Sequence, residues 1–209
     1  MGKAIGIALD CELTATDFDR IEALYRERNV PTKLSLCPLT HASAFPLLAE
    51  RGYVVIDQFN VLARSLDGPF DTPTIHVEPT NDHRAFSALV RRGMGAADDE
   101  DEVRAETTGL VLGEAPQMFS FIASIDGEPV GAGGLLIDEG VASLFATSVL
   151  PEHRRKGVQA SLIATRLAHA KSLGCDLAVS MTDVGSGSQS NLERQGFRVG
   201  YTAIVFQRS

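Results

Sequence analysis

The stretch "VASLFATSVLPEHRRKGVQASLIATRLAHA" (141–170) constrains the fold more than any other part of the chain. A run of β-forming residues ends at Pro151, which has no N–H to give to a ladder. A helical pattern starts a few residues later. Val158, Leu162, Ile163, Leu167 and Ala170 recur at spacings of three to four and define one buried face. Between strand and helix stands "EHRRKGVQ". The first turn of a helix carries N–H groups without intrahelical partners and the positive end of the dipole. Gly157 lets an anion approach that backbone with no Cβ in the way. Arg154, Arg155 and Lys156 add positive charge where the anion would sit. The junction reads as a cradle for a phosphorylated ligand; the plainer alternative is a solvated basic turn.

This basic cluster stands in an acidic chain, with 19 Lys+Arg against 27 Asp+Glu and a net charge of -8. Such a balance argues against nonspecific nucleic-acid binding, which needs many phosphate contacts. The 209 residues suit one or two domains, and 44% hydrophobic residues suffice for an ordinary core. No run approaches the roughly 18 apolar residues of a membrane span. The N-terminal "MGKAIGIALDCELT" is too short in apolar residues for a signal-peptide core, so the cytoplasm is expected. Cys11, Cys37 and Cys175 lie far apart and read as free thiols. The five histidines are scattered, and His76 and His83 have no partners at ligand spacing, so no metal site is expected.

Along the chain, "DFDRIEALYRER" (17–28) reads as an amphipathic helix with Asp17 as its N-cap. "TKLSLCPL" (32–39) reads as a strand. "SLDGPFDTP" (65–73) is a Gly/Pro/Asp-rich joint and the candidate domain boundary. "TIHVEPT" is a strand and "DHRAFSALVRRGM" (82–94) a helix; "ADDEDEVRAE" (97–106) is a charge run. Residues 118–140 form a hairpin turning at Asp126-Gly127. "DLAVSMT" (176–182) reads as a buried strand and "GSGSQS" (185–190) as a loop. "NLERQGF" (191–197) is a short helix closed by Gly196, and the last strand runs to the terminus. "GAGGLL" (131–136) lacks the third glycine of a dinucleotide fingerprint and lies within a hairpin strand rather than before a helix.

Two segments echo each other. With Gly52 set on Gly196, "LAERGYVVIDQFNVLARS" matches "NLERQGFRVGYTAIVFQRS": Tyr53 meets Phe197, Arg64 meets Arg208 and Ser65 meets Ser209. The order helix, strand, short helix, long strand then occurs twice, which reads as an internal repeat. The first copy has no "RRKG" before its helix. Residues 1–70 are expected to be a degenerate half-domain and residues 72–209 a complete α+β domain. A monomer with a pseudo-twofold arrangement is the favoured assembly.

Residues 72–209 resemble the GNAT superfamily of acyl-CoA-dependent N-acetyltransferases, whose pyrophosphate signature is Arg/Gln-x-x-Gly-x-Gly/Ala between its fourth strand and third helix. Arg154-Arg155-Lys156-Gly157-Val158-Gln159 matches it except at Gln159, whose side chain must point away from the diphosphate. The resemblance implies an α+β (α/β) fold with a mixed, mostly antiparallel sheet and flanking helices. It implies acetyl-CoA as cosubstrate, no metal, and an amine acceptor, small molecule or peptide. The pantetheine arm would lie in a gap between "LFATSVL" and "DLAVSMT", with backbone groups of Thr147, Ser148 and Val149 pairing with its amides. One N–H there would polarise the thioester carbonyl. Asn191 is implied as a cofactor contact, or else as a helix N-cap. Ser143 stands where the family often has a glutamate base and Leu192 where it often has a tyrosine acid, so no catalytic base is named. That gap motivates a competing reading, a catalytically silent acyl-CoA-binding domain. The charge run at 97–106 falls where the family binds acceptors and would attract a cationic amine, although such a run is more often a solvated loop.

Overall fold

The computed structural model describes residues 2–95 and 115–208. The elements in chain order are α1 (Ala15–Arg26), β1 (Lys33–Leu36), α2 (Ala44–Glu50), β2 (Tyr53–Ser65), β3 (His76–Thr80) and α3 (His83–Met94). They continue with β4 (Met118–Ile125), β5 (Glu128–Asp138), β6 (Val141–Val149), a 3-10 turn (Pro151–His153) and α4 (Val158–Ser172). Last come β7 (Leu177–Asp183), α5 (Gly187–Arg194) and β8 (Arg198–Arg208). The fold is mixed α/β with mostly antiparallel pairing, as expected. The charge run at 97–106 lies outside the described residues.

The chain forms two compact units. One comprises Met1–Val61, Thr182–Val184 and Val199–Ser209, and the other Leu62–Met181 and Gly185–Arg198. The first unit therefore takes up the terminal strand as well as the N-terminal segment.

In the first unit the strands run in the order β1-β8-β2. β8 pairs antiparallel with β1 from Lys33↔Gln207 to Leu36↔Ile204. Phe18, Leu34, Leu36, Ala44, Leu48 and Tyr53 form its core. Helix α1 starts earlier than the sequence suggests. Thr14 is extended and is the N-cap, and its Oγ1 accepts from the Asp17 N–H at 3.2 Å. Asp17 is the third helical residue and accepts the Thr14 hydroxyl proton at 2.6 Å. The expected N-cap was thus the partner of the real one, a reciprocal pairing that a lone Asp in the first turn does not reveal. Glu22 is buried on this helix. It accepts from Tyr53 Oη at 2.9 Å and from Arg51 Nη1 at 3.1 Å. Burial, with the Glu22 bond, pushes the Tyr53 phenol up to about 12.

In the second unit the order is β7-β6-β5-β4-β3. The β3–β4, β4–β5 and β5–β6 pairs are antiparallel, and β6–β7 is parallel, joined through α4. The β4–β5 hairpin turns at Asp126 (φ 52) and Gly127 (φ 83), both left-handed as a two-residue turn of this twist requires. Alternation along β5 serves two helices. Ala132 packs with Phe86 and Leu89 of α3. Gly131 and Gly133 face α4, against Val158 and Arg166. Leu162, Ile163, Leu167 and Ala170 of α4 join Leu135, Leu144, Ala178 and Phe197 in the main core. Helix α5 begins at Gly187, capped by Ser186 Oγ, which accepts from the Gln189 N–H at 3.1 Å. The expected loop at 185–190 is therefore largely helix. A serine N-cap outweighs the poor helix propensity of the Gly-Ser run behind it.

Candidate functional site

Strands β6 and β7 run together only at their start. Their ladder extends from Val141↔Leu177 to Leu144↔Ser180. There the Ser180 hydroxyl donates to the Leu144 carbonyl at 3.0 Å. Beyond that point β6 shifts register against β5. Between Gly134↔Phe145 and Ala132↔Ser148 it carries one residue more than β5, and Ala146 sits at φ 47. This is a β-bulge, which leaves ladder groups unpaired and re-aims the side chains around it.

The bulged half of β6 opens on a cleft of about 860 Å³. Thr147, Ser148 and Val149 form one wall, and His153, Arg154, Arg155 and Gly157 follow in the turn. Val158, Gln159 and Ala160 contribute the start of α4. Gly187, Ser188, Ser190, Asn191 and Arg194 come from α5, and Gly93 and Met94 from α3. Nine of the ten residues singled out from the sequence thus line one cleft. Lys156 is exposed and not part of the lining.

The turn itself is built from left-handed backbone. Arg155 stands at φ 63 and Gly157 at φ 82 as the N-cap residue of α4. A Cβ at Gly157 would meet Thr74 Oγ1 at 3.3 Å. With no capping side chain, the N–H groups of Val158, Gln159 and Ala160 end the helix unpartnered within it. Arg154 is tied back into the protein. Its Nη2 donates to the Gly93 carbonyl at 2.8 Å and its Nε to the Val149 carbonyl at 3.4 Å, joining α3 to the end of β6. Arg155 makes no hydrogen bond with the described residues and supplies uncommitted positive charge beside the helix end.

Gln159 does turn away from that helix end. Its Nε2 donates to Ser188 Oγ at 3.1 Å, and its Oε1 accepts from Asn191 Nδ2 at 2.5 Å. Asn191 lies in the middle of α5, so it is not an N-cap; it also accepts from Arg194 Nη1. Gly93 was not visible as a site residue. A Cβ there would lie 1.9 Å from Ser148 Oγ, so its bare backbone lets α3 press against the bulged strand. Ser148 Oγ is buried and has no partner among the described residues.

Neither position expected to lack acid–base chemistry acquires it. Ser143 lies in register with Leu136 and Val179, and Leu192 is 3% exposed in the main core. No carboxylate, cysteine or tyrosine lines the cleft among the described residues. Among them, too, no group of three or more metal-ligating side chains is assembled, and no helix is long and apolar enough to cross a membrane.

The family model described as the acetyltransferase (GNAT) family matches residues 84–197. Comparison with curated proteins gave no match. Among solved structures, one similar to this chain is a GCN5-related N-acetyltransferase from Kribbella flavida. It is 18% identical with a TM-score of 0.63, over 92% of this chain and 74% of that one. A tandem GNAT protein from the clavulanic acid biosynthesis pathway is 15% identical with a TM-score of 0.68, over 92% and 68%. AAC(6')-Iy, solved with the bisubstrate analog CoA-S-monomethyl-acetylneamine, is 24% identical with a TM-score of 0.50, over 59% and 90%. At these identities the likeness is one of fold.

Proposed function

Because the chain belongs to the acetyltransferase (GNAT) family, we propose that it transfers an acetyl group from acetyl-CoA to a primary amine by direct attack. The observation that carries this reading is the continuity of the cleft. The parallel ladder stops at Leu144↔Ser180, and the freed strand leads through Thr147, Ser148 and Val149 to the open N-terminus of α4. An extended amide-bearing arm fits the freed strand edge, and a diphosphate fits the helix end beside Gly157 and Arg155. Lys156 contributes to the local field from outside the cleft.

In the reaction the amine lone pair forms the C–N bond, and the carbonyl π pair moves onto oxygen. That pair returns as the C–S bond breaks, and CoA leaves as a thiolate. The proton lost by nitrogen passes to solvent. A thiol of pKa about 8.5 can depart as its anion near neutrality. Leu192, buried where the family often has a tyrosine acid, therefore does not prevent turnover. The acceptor class is an amine-bearing small molecule or peptide.

Two measurements test this. Acetyl-pantetheine, which lacks the diphosphate, should bind at least tenfold more weakly than acetyl-CoA in calorimetry. Equal affinities would make Arg154, Arg155 and Lys156 a solvated turn. Thiol release from acetyl-CoA across a panel of amines should exceed that without amine; tight binding with no amine-dependent release would establish a silent binding domain instead.

A further inference from the structure

Arg166 is the largest fully buried side chain among the described residues. It projects from the core face of α4, between Leu162, Ile163 and Leu167, and has no carboxylate partner among those residues. Burial pushes it down to about 9, so the guanidinium remains charged at neutral pH. An unpaired buried charge is unfavourable to fold around. The structure nevertheless makes room for it: a Cβ at Gly133 would lie 2.8 Å from Arg166 Cζ. All its bonds go to neutral acceptors. Nε donates to the Leu162 carbonyl at 2.9 Å, and Nη1 to the Gly134 carbonyl at 2.8 Å and the Phe145 carbonyl at 3.4 Å. Nη2 donates to Thr147 Oγ1 at 2.9 Å.

That last bond has a direction. A guanidinium only donates, so Thr147 Oγ1 accepts, and the hydroxyl's single proton cannot point back at Arg166. It is the hydroxyl's one hydrogen bond among the described residues. Thr147 lines the cleft and adjoins the bulge at Ala146. Its O–H is thus left to serve the cleft and is polarised by a cation behind it.

We propose that Arg166 and Thr147 form a relay in which the Thr147 hydroxyl donates to the thioester carbonyl oxygen of bound acetyl-CoA. Thr147 is a catalytic residue, and Arg166 acts through it as a positioning residue. This rests on the acetyl-CoA reading above. As nitrogen bonds to the carbonyl carbon, negative charge collects on the oxygen that Thr147 faces. The hydroxyl keeps its proton throughout, and the charge returns to form the carbonyl as CoA leaves. Preorganised donors of this kind are worth on the order of 10²–10³ in kcat.

The test needs no known acceptor. Acetyl-CoA carrying ¹³C at the acetyl carbonyl is bound to the full chain and its carbonyl stretch isolated by isotope-edited infrared spectroscopy. The band should shift to lower frequency on wild type and on Thr147→Ser, and return toward the free-ligand position on Thr147→Val. Arg166→Met should move it the same way as Thr147→Val; should that variant not fold, the two Thr147 variants decide. A band at the same position on wild type and Thr147→Val overturns the relay while leaving acetyl-CoA binding intact. Failure of wild type to bind acetyl-CoA in calorimetry overturns the donor assignment itself, and the relay with it.

Discussion

Gly157→Asp separates a phosphate cradle from a solvated turn. Two costs attach to the substitution. The first is conformational: φ 82 is left-handed, and a Cβ must displace Thr74 Oγ1 from 3.3 Å. That strain costs about 1–2 kcal/mol. An acidic group at a helix N-terminus returns roughly 0.5–1 kcal/mol through the dipole, so the fold should survive. The second cost falls on binding. A carboxylate about 5 Å from a diphosphate, at an effective dielectric of about 40, is repelled by roughly 1.7 kcal/mol per charge. Two diphosphate charges give about 3.4 kcal/mol, or on the order of 300-fold in Kd. Gly157→Ala carries the strain without the charge and should lose far less affinity. Calorimetry with CoA, beside circular dichroism and thermal melts, reads both terms. If Gly157→Asp bound CoA within threefold of wild type, the diphosphate would not sit at this helix end.

Three further outcomes follow from contacts within each unit. Gly133→Ala should lower stability by about 1–3 kcal/mol, because its methyl group overlaps the buried Arg166 guanidinium; an unchanged Tm would mean that the guanidinium is not held there. Tyr53→Phe should cost about 1 kcal/mol through loss of the Glu22 bond. Since the folded phenol is pushed up to about 12 from 10.0, wild-type stability should be full below pH 10 and fall as pH rises toward 12. Urea melts of Tyr53→Phe should lack that fall. A fragment of residues 72–209 keeps β8 but loses both its neighbours, β1 and β2, and without Phe59 and Val61 would expose Ala203 and Val205; it should aggregate, and a soluble fragment melting with the full chain would refute this.

Much of the second unit was legible because its signals are local. The strand ending at Pro151, the apolar period of α4 and the Asp126-Gly127 turn each depend on a few adjacent residues. The cleft wall was legible for the same reason, since strand, turn and helix are consecutive. What escaped depends on contacts distant in sequence. Arg166 falls on the apolar face of α4, but the space and the partner that let a guanidinium sit there come from Gly133 and Thr147, which are distant in sequence. Gly93 reads as an ordinary weak point in a helix until Ser148 is seen against it. The start of α5 was misplaced because glycine and serine suggest a loop, whereas Ser186 in the N-cap position starts the helix.

The glycines of "GAGGLL" give the site its physical logic. Each exposes bare β5 backbone to a different demand of the neighbouring elements. A Cβ at Gly131 would lie 2.9 Å from the Ser148 carbonyl, at Gly133 2.8 Å from the guanidinium, and at Gly134 2.4 Å from the Phe145 ring. Glycine weakens a strand, and Ala146 at φ 47 adds a strained residue opposite. Both costs fall where β6 leaves β7 and opens the cleft. A fold optimised for stability alone would fill these positions and straighten β6, which would close the gap and remove the space Arg166 occupies. These costs gather around the cleft and the Arg166 guanidinium, while Ser143 and Leu192 are given over to strand pairing and core.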